Sequence, residues 1–206
     1  MKLSTIYTFV SILAILFVLA NFNGQAAVLN YPSGTLTLQD LIDNASSGDV
    51  INIASGTHEE YDIEVDKNLT IQGQGRNSTY LDGDNEERIF YIPSGNTIEI
   101  KNLTISNGDT GGNGGGIHNE GTLTVRNCNL TGNYADNDGG SIYSSGDLTV
   151  INCNITDNES GDIGGGIFLE DAECTINNST IEDNEANNGG GGIFANDVTL
   201  SISSSF

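Results

Sequence analysis

The chain repeats itself about every 25 residues, and that period restricts its fold more than any other feature. The first apolar triplets of successive units are "IEI" at Ile98, "LTV" at Leu123, "LTV" at Leu148, "CTI" at Cys174 and "VTL" at Val198. Seven positions after the first residue of each of the first four triplets comes another apolar residue, at Ile105, Leu130, Ile155 and Ile181. Twelve positions after that, just past a run of glycines, comes an isoleucine, at Ile117, Ile142, Ile167 and Ile193. These two intervals never vary, whereas the return to the next triplet takes six, six, seven and five residues. Each unit therefore holds three short apolar segments separated by Asn, Asp, Ser and Gly, which are strand and turn signals. A unit this small cannot bury its own inward side chains, but stacked units bury a continuous column. The repeat predicts an all-β fold, a parallel β-helix solenoid with three short strands per turn. About six turns, at ~4.8 Å each, give a coil roughly 30 Å long.

Stacking assigns roles to particular residues, because equivalent side chains lie above one another. Asn102, Asn127, Asn152 and Asn178 share the bend between the first and second strands, where an amide can bond both the turn and the next amide in the ladder. Asn133, Asn158 and Asn184 repeat the pattern at the end of the second strand. The glycines at 114–116, 139–140, 164–166 and 189–192 mark a tight corner that a Cβ would obstruct. A phosphate-cradling loop is not indicated, because no Lys-Ser/Thr follows any of the four copies. Cys128 and Cys153 are equivalent positions one turn apart and point inward. Parallel Cβ vectors favour two stacked buried thiols over a disulfide. Cys174 takes the place of a first-strand leucine and belongs to the core.

The chain divides unevenly. Residues 1–26 read as a secretory signal peptide: Lys2, an apolar run from Ile6 to Ala20, and small residues Gly24 and Ala26 before the cut. The run is short for a bilayer span of roughly 20 residues. No second apolar run follows it, so no membrane span is expected after cleavage. Residues 27–49 form an N-terminal linker and a capping helix, because Thr37 and Asp40 have capping-box spacing before Leu38, Leu41 and Ile42. That helix, over 38–44, closes one end of the coil and covers its strand edge. The β-helix then occupies 50–206, its first turns less regular. Its last unit, "VTLSISSSF", stops before any turn or cap, so a truncated reading is the expectation.

With Lys2 removed, five basic residues (Lys67, Arg76, Arg88, Lys101, Arg126) face 28 acidic ones. Such a surface repels phosphate and lacks the basic footprint of a nucleic-acid binder. Stacked turns bring Asp136, Asp138, Asp157, Glu159, Asp162, Asp183 and Glu185 onto one edge, a candidate strip for Ca²⁺ with hard carboxylate ligands. The competing reading is a row of solvated turns, and the G-G-x-G-x-D pattern of calcium rolls is absent. Lys101 and Arg126 form a two-rung stack, read as exposed strand residues. His58 and His118 fall in unlike positions and read as surface residues. Several Asn-x-Ser/Thr sequons, among them Asn44, Asn68, Asn77, Asn102, Asn129, Asn154, Asn158 and Asn178, permit glycosylation of an exported chain.

Two resemblances attach to these segments. "LQDLIDNASSGDVINIASGTHEEYDIEVDKNLTIQGQG" resembles the N-terminal turns of right-handed parallel β-helix proteins of the pectate-lyase-like superfamily, which implies a right-handed coil. "GGGI", "GGSI", "GGGI" and "GGGI", with "LTGN", "ITDN" and "IEDN", resemble the GGA-I and F-x-x-N signatures of polymorphic outer-membrane protein repeats, also found in adhesin-like surface proteins. The second resemblance implies a cell-surface, adhesin-like binding or stalk module, whose partner is an extracellular glycan or cell-surface protein. The first also admits a polysaccharide lyase or glycoside hydrolase. Such enzymes need convergent charged groups and an aromatic platform, and this chain has no tryptophan. A non-catalytic extracellular role, with outer-membrane association as one form of it, is the expectation.

Overall fold

The computed structural model describes residues 25–205. The leader reading over 1–26 lies outside them, save for its last two residues. The described chain winds into parallel rungs whose strands form four sheets. The first sheet runs Val28–Tyr31, Val50–Ile53, Leu69–Gln72, Thr97–Lys101, Thr122–Arg126, Leu148–Ile151, Glu173–Asn177 and Thr199–Ser203, all paired in parallel. Eight strands stacked this way make about seven turns, one more than expected. The extra rung comes from Val28–Tyr31, which pairs with Val50–Ile53 in a segment expected to be linker.

The expected register is observed as far as Cys174, but the last triplet is displaced: Leu200, not Val198, lies on Cys174 and Ile202 on Ile176, because Asp197 takes the left-handed bend that Asp171 takes one rung earlier. Leu123 pairs with Leu148 and Leu148 with Cys174, and all three are buried. The inward column of Ile100, Val125, Val150 and Ile176 lies beside them, also sealed from water. Burial of such side chains contributes about 25 cal/mol per Å² removed from water, and this column is the main source of stability. The second sheet holds Thr104–Ser106, Asn129–Thr131, Asn154–Thr156 and Thr180–Glu182, below which lie Gly56–Glu59 and Thr79–Asp82. Another six-stranded sheet carries Ile117–Asn119, Ile142–Ser144, Ile167–Glu170 and Ile193–Asn196 above Ile63–Glu64 and Phe90–Ile92.

A fourth strand per regular turn joins the three that the sequence reveals. It is two residues long: Asp109–Thr110, Tyr134–Ala135, Glu159–Ser160 and Glu185–Ala186. Its inward residues, Thr110, Ala135, Ser160 and Ala186, are small. A strand with no large apolar side chain leaves no hydrophobic signal to read.

Both asparagine ladders form. Asn127 Nδ2 donates to Asn102 Oδ1 (3.1 Å), Asn152 to Asn127 (2.6 Å) and Asn178 to Asn152 (3.1 Å). These four sit at φ of 58°, 54°, 56° and 48°, a left-handed bend that asparagine tolerates better than most residues. In the second ladder Asn133 Nδ2 donates to Asn158 Oδ1 and Asn158 Nδ2 to Asn184 Oδ1, both at 2.9 Å. The helix α1, Leu38–Asn44, begins with the predicted capping box: Thr37 Oγ1 accepts from Asp40 N (3.1 Å) and Asp40 Oδ2 from Thr37 N (2.9 Å). Leu38, Leu41 and Ile42 plug the N-terminal end of the coil. The opposite end is bare: Leu200 and Ile202 are 36% and 51% exposed where their neighbours one rung below are sealed.

Candidate functional site

Two faces of the coil carry side-chain chemistry. The residue after each glycine-corner isoleucine points outward, and His118, Tyr143, Phe168 and Phe194 stack there above Tyr91, which follows Phe90. The Tyr91 and His118 rings lie 5.4 Å apart edge to face, and His118 and Tyr143 lie 4.7 Å apart. Tyr143, Phe168 and Phe194 are parallel, at 5.1 and 5.6 Å. Sequence reading missed this stack because the residue types differ, although the last four each follow the glycine-corner isoleucine. The glycine corner folds tightly against it. A Cβ on Gly164 would come within 2.9 Å of Phe168 Cβ, and one on Gly190 within 2.8 Å of Phe194 Cβ.

Charged groups flank the rings. Arg88 Nη1 donates to His118 Nδ1 at 2.7 Å, which places the imidazole proton on Nε2, facing Glu120 Oε1 at 3.6 Å. Burial lowers the His118 pKa, Arg88 lowers it further, and Glu120 opposes them, so the ring is neutral. His118 is therefore not the surface residue expected. His58 stays half-exposed, beside Tyr31 and 3.0 Å from the Ala54 carbonyl. Tyr143 donates to Glu170 at 2.9 Å, and burial together with that carboxylate pushes its pKa up to about 12. Tyr143 and Phe168 are almost enclosed. Their ring faces are taken by one another, so this ladder is a structural stack and offers no broad platform to a sugar.

The second face is polar and open. Asn129, Thr131, Asn154, Thr156, Thr180 and Glu182 project from three successive rungs of the second sheet and line a shallow groove. Asn154 Nδ2 donates to Asn129 Oδ1 at 3.1 Å. The loop between Gln72 and Thr79 folds along the coil at one end of this groove. Arg76 Nη1 donates to the Asn152 carbonyl (2.9 Å), while the Arg76 carbonyl accepts from Thr104 Oγ1 (2.6 Å) and Asn129 Nδ2 (3.5 Å). The floor is thus an array of amides and hydroxyls repeated at the rung spacing of ~4.8 Å, with one carboxylate, Glu182, on the third rung.

The acidic turns do not converge. Glu159 and Glu185 are register partners, while Asp157 and Asp183 occupy left-handed bends at φ of 56° and 54°. Asp138 Oδ1 accepts from Ile163 N (3.3 Å) and Asp162 Oδ1 from Asn188 Nδ2 (2.8 Å), so both carboxylates tie their turn to the next one. Burial, and then the nearby Asp136 carboxylate, raise the Asp109 pKa. Among the described residues, no group of three or more His, Cys, Asp or Glu side chains is placed to hold a metal ion. Lys101 and Arg126 do stack, and both bond Glu99, at 2.6 and 3.4 Å. Burial raises the Glu99 carboxyl, but the two cations more than offset it and hold it below its ordinary value. All three cysteines are free and buried, as stacking predicts.

A family model described as the right-handed β-helix region matches residues 26–205. The chain belongs to the right-handed β-helix family. No match was found among curated proteins. Among solved structures, this β-helix is similar to pectin methylesterase PemA from Erwinia chrysanthemi, at 17% identity and a TM-score of 0.50, over 74% of this chain and 56% of that one. It is also similar to the pectin methylesterase from Aspergillus niger, at 16% identity and a TM-score of 0.44, over 88% and 86% of the two chains. The β-helix spans little more than half the length of the Erwinia enzyme. At such identities the likeness concerns the fold.

Proposed function

We propose that this β-helix is a non-catalytic binding module of an exported cell-surface protein, and that it holds an extended, uncharged glycan along the groove of its second sheet. The observation that carries the reading is the groove floor: outward amides and hydroxyls of Asn129, Thr131, Asn154, Thr156 and Thr180 on three consecutive rungs. A linear polyol meets repeated neutral donors and acceptors there, and it meets no dense charge that would have to be desolvated. The net charge of −22 disfavours an acidic polymer through long-range repulsion. The resemblance of the glycine and asparagine signatures to adhesin-like repeats supports the same surface role.

The competing reading is a carbohydrate-active enzyme, which the pectin methylesterase neighbours bring to mind. Purified protein incubated with highly methyl-esterified pectin, with polygalacturonate and with neutral plant and microbial glycans separates the two. The expected result is saturable binding of a neutral or esterified glycan, weakened at least tenfold by Asn154→Ala with Thr156→Ala, with neither methanol nor unsaturated product released. Sustained methanol release or double-bond formation would replace binding with catalysis.

A further inference from the structure

We propose that Asn77 is the position at which this chain accepts an N-linked glycan, and that the sequons of the regular turns arise from ladder packing. The proposal rests on the export reading above. It goes beyond the sequon pattern because the structure divides the sequons into two physical classes.

Six lie in the regular turns, and their asparagines are in use; the sixth, Asn177-Asn178-Ser179, overlaps the sequon of Asn178, and its Asn177 Oδ1 accepts from Ser203 Oγ. Asn158 is 1% exposed, and its Nδ2 lies within hydrogen-bonding distance of the Leu130 carbonyl (3.1 Å), the Thr156 carbonyl (3.0 Å) and Asn184 Oδ1 (2.9 Å). Replacing one of its two amide hydrogens with a sugar would break the ladder and force a bulky polar group into the coil. Asn154 and Asn178 each donate from Nδ2 to an asparagine on the preceding rung, at 3.1 Å. Asn102 accepts from Asn127, and Asn129 accepts from Asn154. At the positions other than Asn177 asparagine supplies a ladder amide or a left-handed bend. The hydroxyl two residues later is a strand Thr, or Ser160 in the short third strand of its turn. The sequon pattern follows from those two demands alone.

In the first turns Asn44, Asn68 and Asn77 are exposed, as Asn178 is, but none of them is part of an asparagine ladder. Asn44 Nδ2 donates to the Asp40 carbonyl at 2.6 Å, and Asn68 Oδ1 accepts from Thr97 N at 2.8 Å. Asn77 makes no side-chain hydrogen bond among the described residues. It sits in the turn of residues 76–78, whose shape is held by Ser78 N and Ser78 Oγ donating to the Gly75 carbonyl at 2.9 and 3.1 Å. A glycan there would project into water, next to the Arg76 segment that closes one end of the groove.

The transfer is chemically complete. Asn77 Nδ2 attacks the anomeric carbon of an oligosaccharide carried on a polyprenyl phosphate or diphosphate. The C–N bond forms, the C–O bond to phosphate breaks, and the lipid phosphate leaves with the electron pair while the amide gives up one proton. The hydroxyl of Thr79 completes the sequon but is fully buried in the coil, so the modification must precede closure of this turn.

The test is to produce the full chain in a secreting host that has an Asn-x-Ser/Thr oligosaccharyltransferase. One version carries its own residues 1–26, and a second carries a host leader in their place. Peptide mass spectrometry of the secreted, folded protein, after enzymatic deglycosylation that converts modified Asn to Asp, reads every sequon. The expected result is that most copies are modified at Asn77 and Asn158 is unmodified; Asn77→Gln should abolish the main mass increment without altering the circular dichroism spectrum. An unmodified Asn77 in secreted protein, or comparable occupancy at Asn129, Asn154 or Asn158, overturns the proposal. So does a chain found only as retained, misfolded material modified in its regular turns. Secretion and Asn77 modification with the host leader alone would refute export by the native leader and leave the glycan site standing.

Discussion

A single buried asparagine such as Asn158 links three rungs: its Oδ1 accepts from Asn133 N (3.1 Å) and Asn133 Nδ2 (2.9 Å), while its Nδ2 meets acceptors on its own turn and on both neighbours. Asn158→Ala orphans the Asn133 amide and the Leu130 carbonyl, and each buried polar group left unpaired costs about 1–3 kcal/mol. A shift of the urea midpoint equivalent to about 2–4 kcal/mol is expected on those grounds, and a loss below about 0.5 kcal/mol would show that water replaces the amide freely. Ser160 is the opposite case. Its buried Oγ has no partner among the described residues, while the register neighbours on either side are Ala135 and Ala186. Ser160→Ala removes a desolvated hydroxyl and keeps the volume of the adjacent rungs, so it should stabilise the fold by about 1 kcal/mol. A measurable destabilisation in chemical unfolding would reveal a hydrogen bond, to water or protein, that the hydroxyl makes in solution.

Among the elements, α1 is short and depends on its cap. Thr37→Ala should cost about 1 kcal/mol. Asp40, its capping partner, has its carboxyl held below the usual range, first by the Thr37 backbone amide and then by the Thr37 side chain. A depressed folded pKa means that this contribution is present above the ordinary carboxylate range and is lost as pH falls through the depressed value. The gap between wild type and Thr37→Ala should therefore narrow in acid, and a gap that widens there would contradict the capping box. At the other end, Thr199–Ser203 has a neighbour on one side only among the described residues, and its inward Leu200 and Ile202 are partly wet. Hydrogen exchange should be faster in this strand than in Leu148–Ile151, whose amides are shielded by rungs on both sides. Equal protection along the first sheet would mean that the last rung is covered in solution.

For the molecule as a whole, 28 acidic residues on a slender coil repel one another. The pairs Asp109 with Asp136, and Asp138 with Asp162 and Glu170, show the cost locally: burial and then the neighbouring carboxylates raise the pKa of Asp109 and of Asp138, the latter opposed in part by the Ile163 amide. Raising ionic strength from about 0.1 M to about 1 M shortens the screening length from about 10 Å to about 3 Å. The thermal midpoint of this protein should rise over that range, and a fall would show that attractive pairs such as Lys101 with Glu99 and Arg126 outweigh the repulsion.

How much of this was legible without coordinates varies with the kind of signal. Large inward residues at fixed intervals, Ile98, Leu123, Leu148 and Cys174, declared the coil, its register and its core, because a one-turn stack converts sequence period directly into contact. The capping box of Thr37 and Asp40 was legible for the same reason, being a contact between near neighbours in the chain. The fourth strand was hidden behind small inward residues. The aromatic ladder was hidden behind mixed residue types, and the carboxylates of Asp138 and Asp162 were spent on hydrogen bonds to the following turn. The groove beside Arg76 depends on a loop that reaches Asn152, 76 residues away in sequence, and such a contact leaves no local periodicity. Period alone therefore determined which residues lie inside and which stack. Only the tertiary structure decided where outward side chains point and which of them remain free to bind, because those outcomes depend on loop paths and hydrogen-bond competition that no repeat encodes.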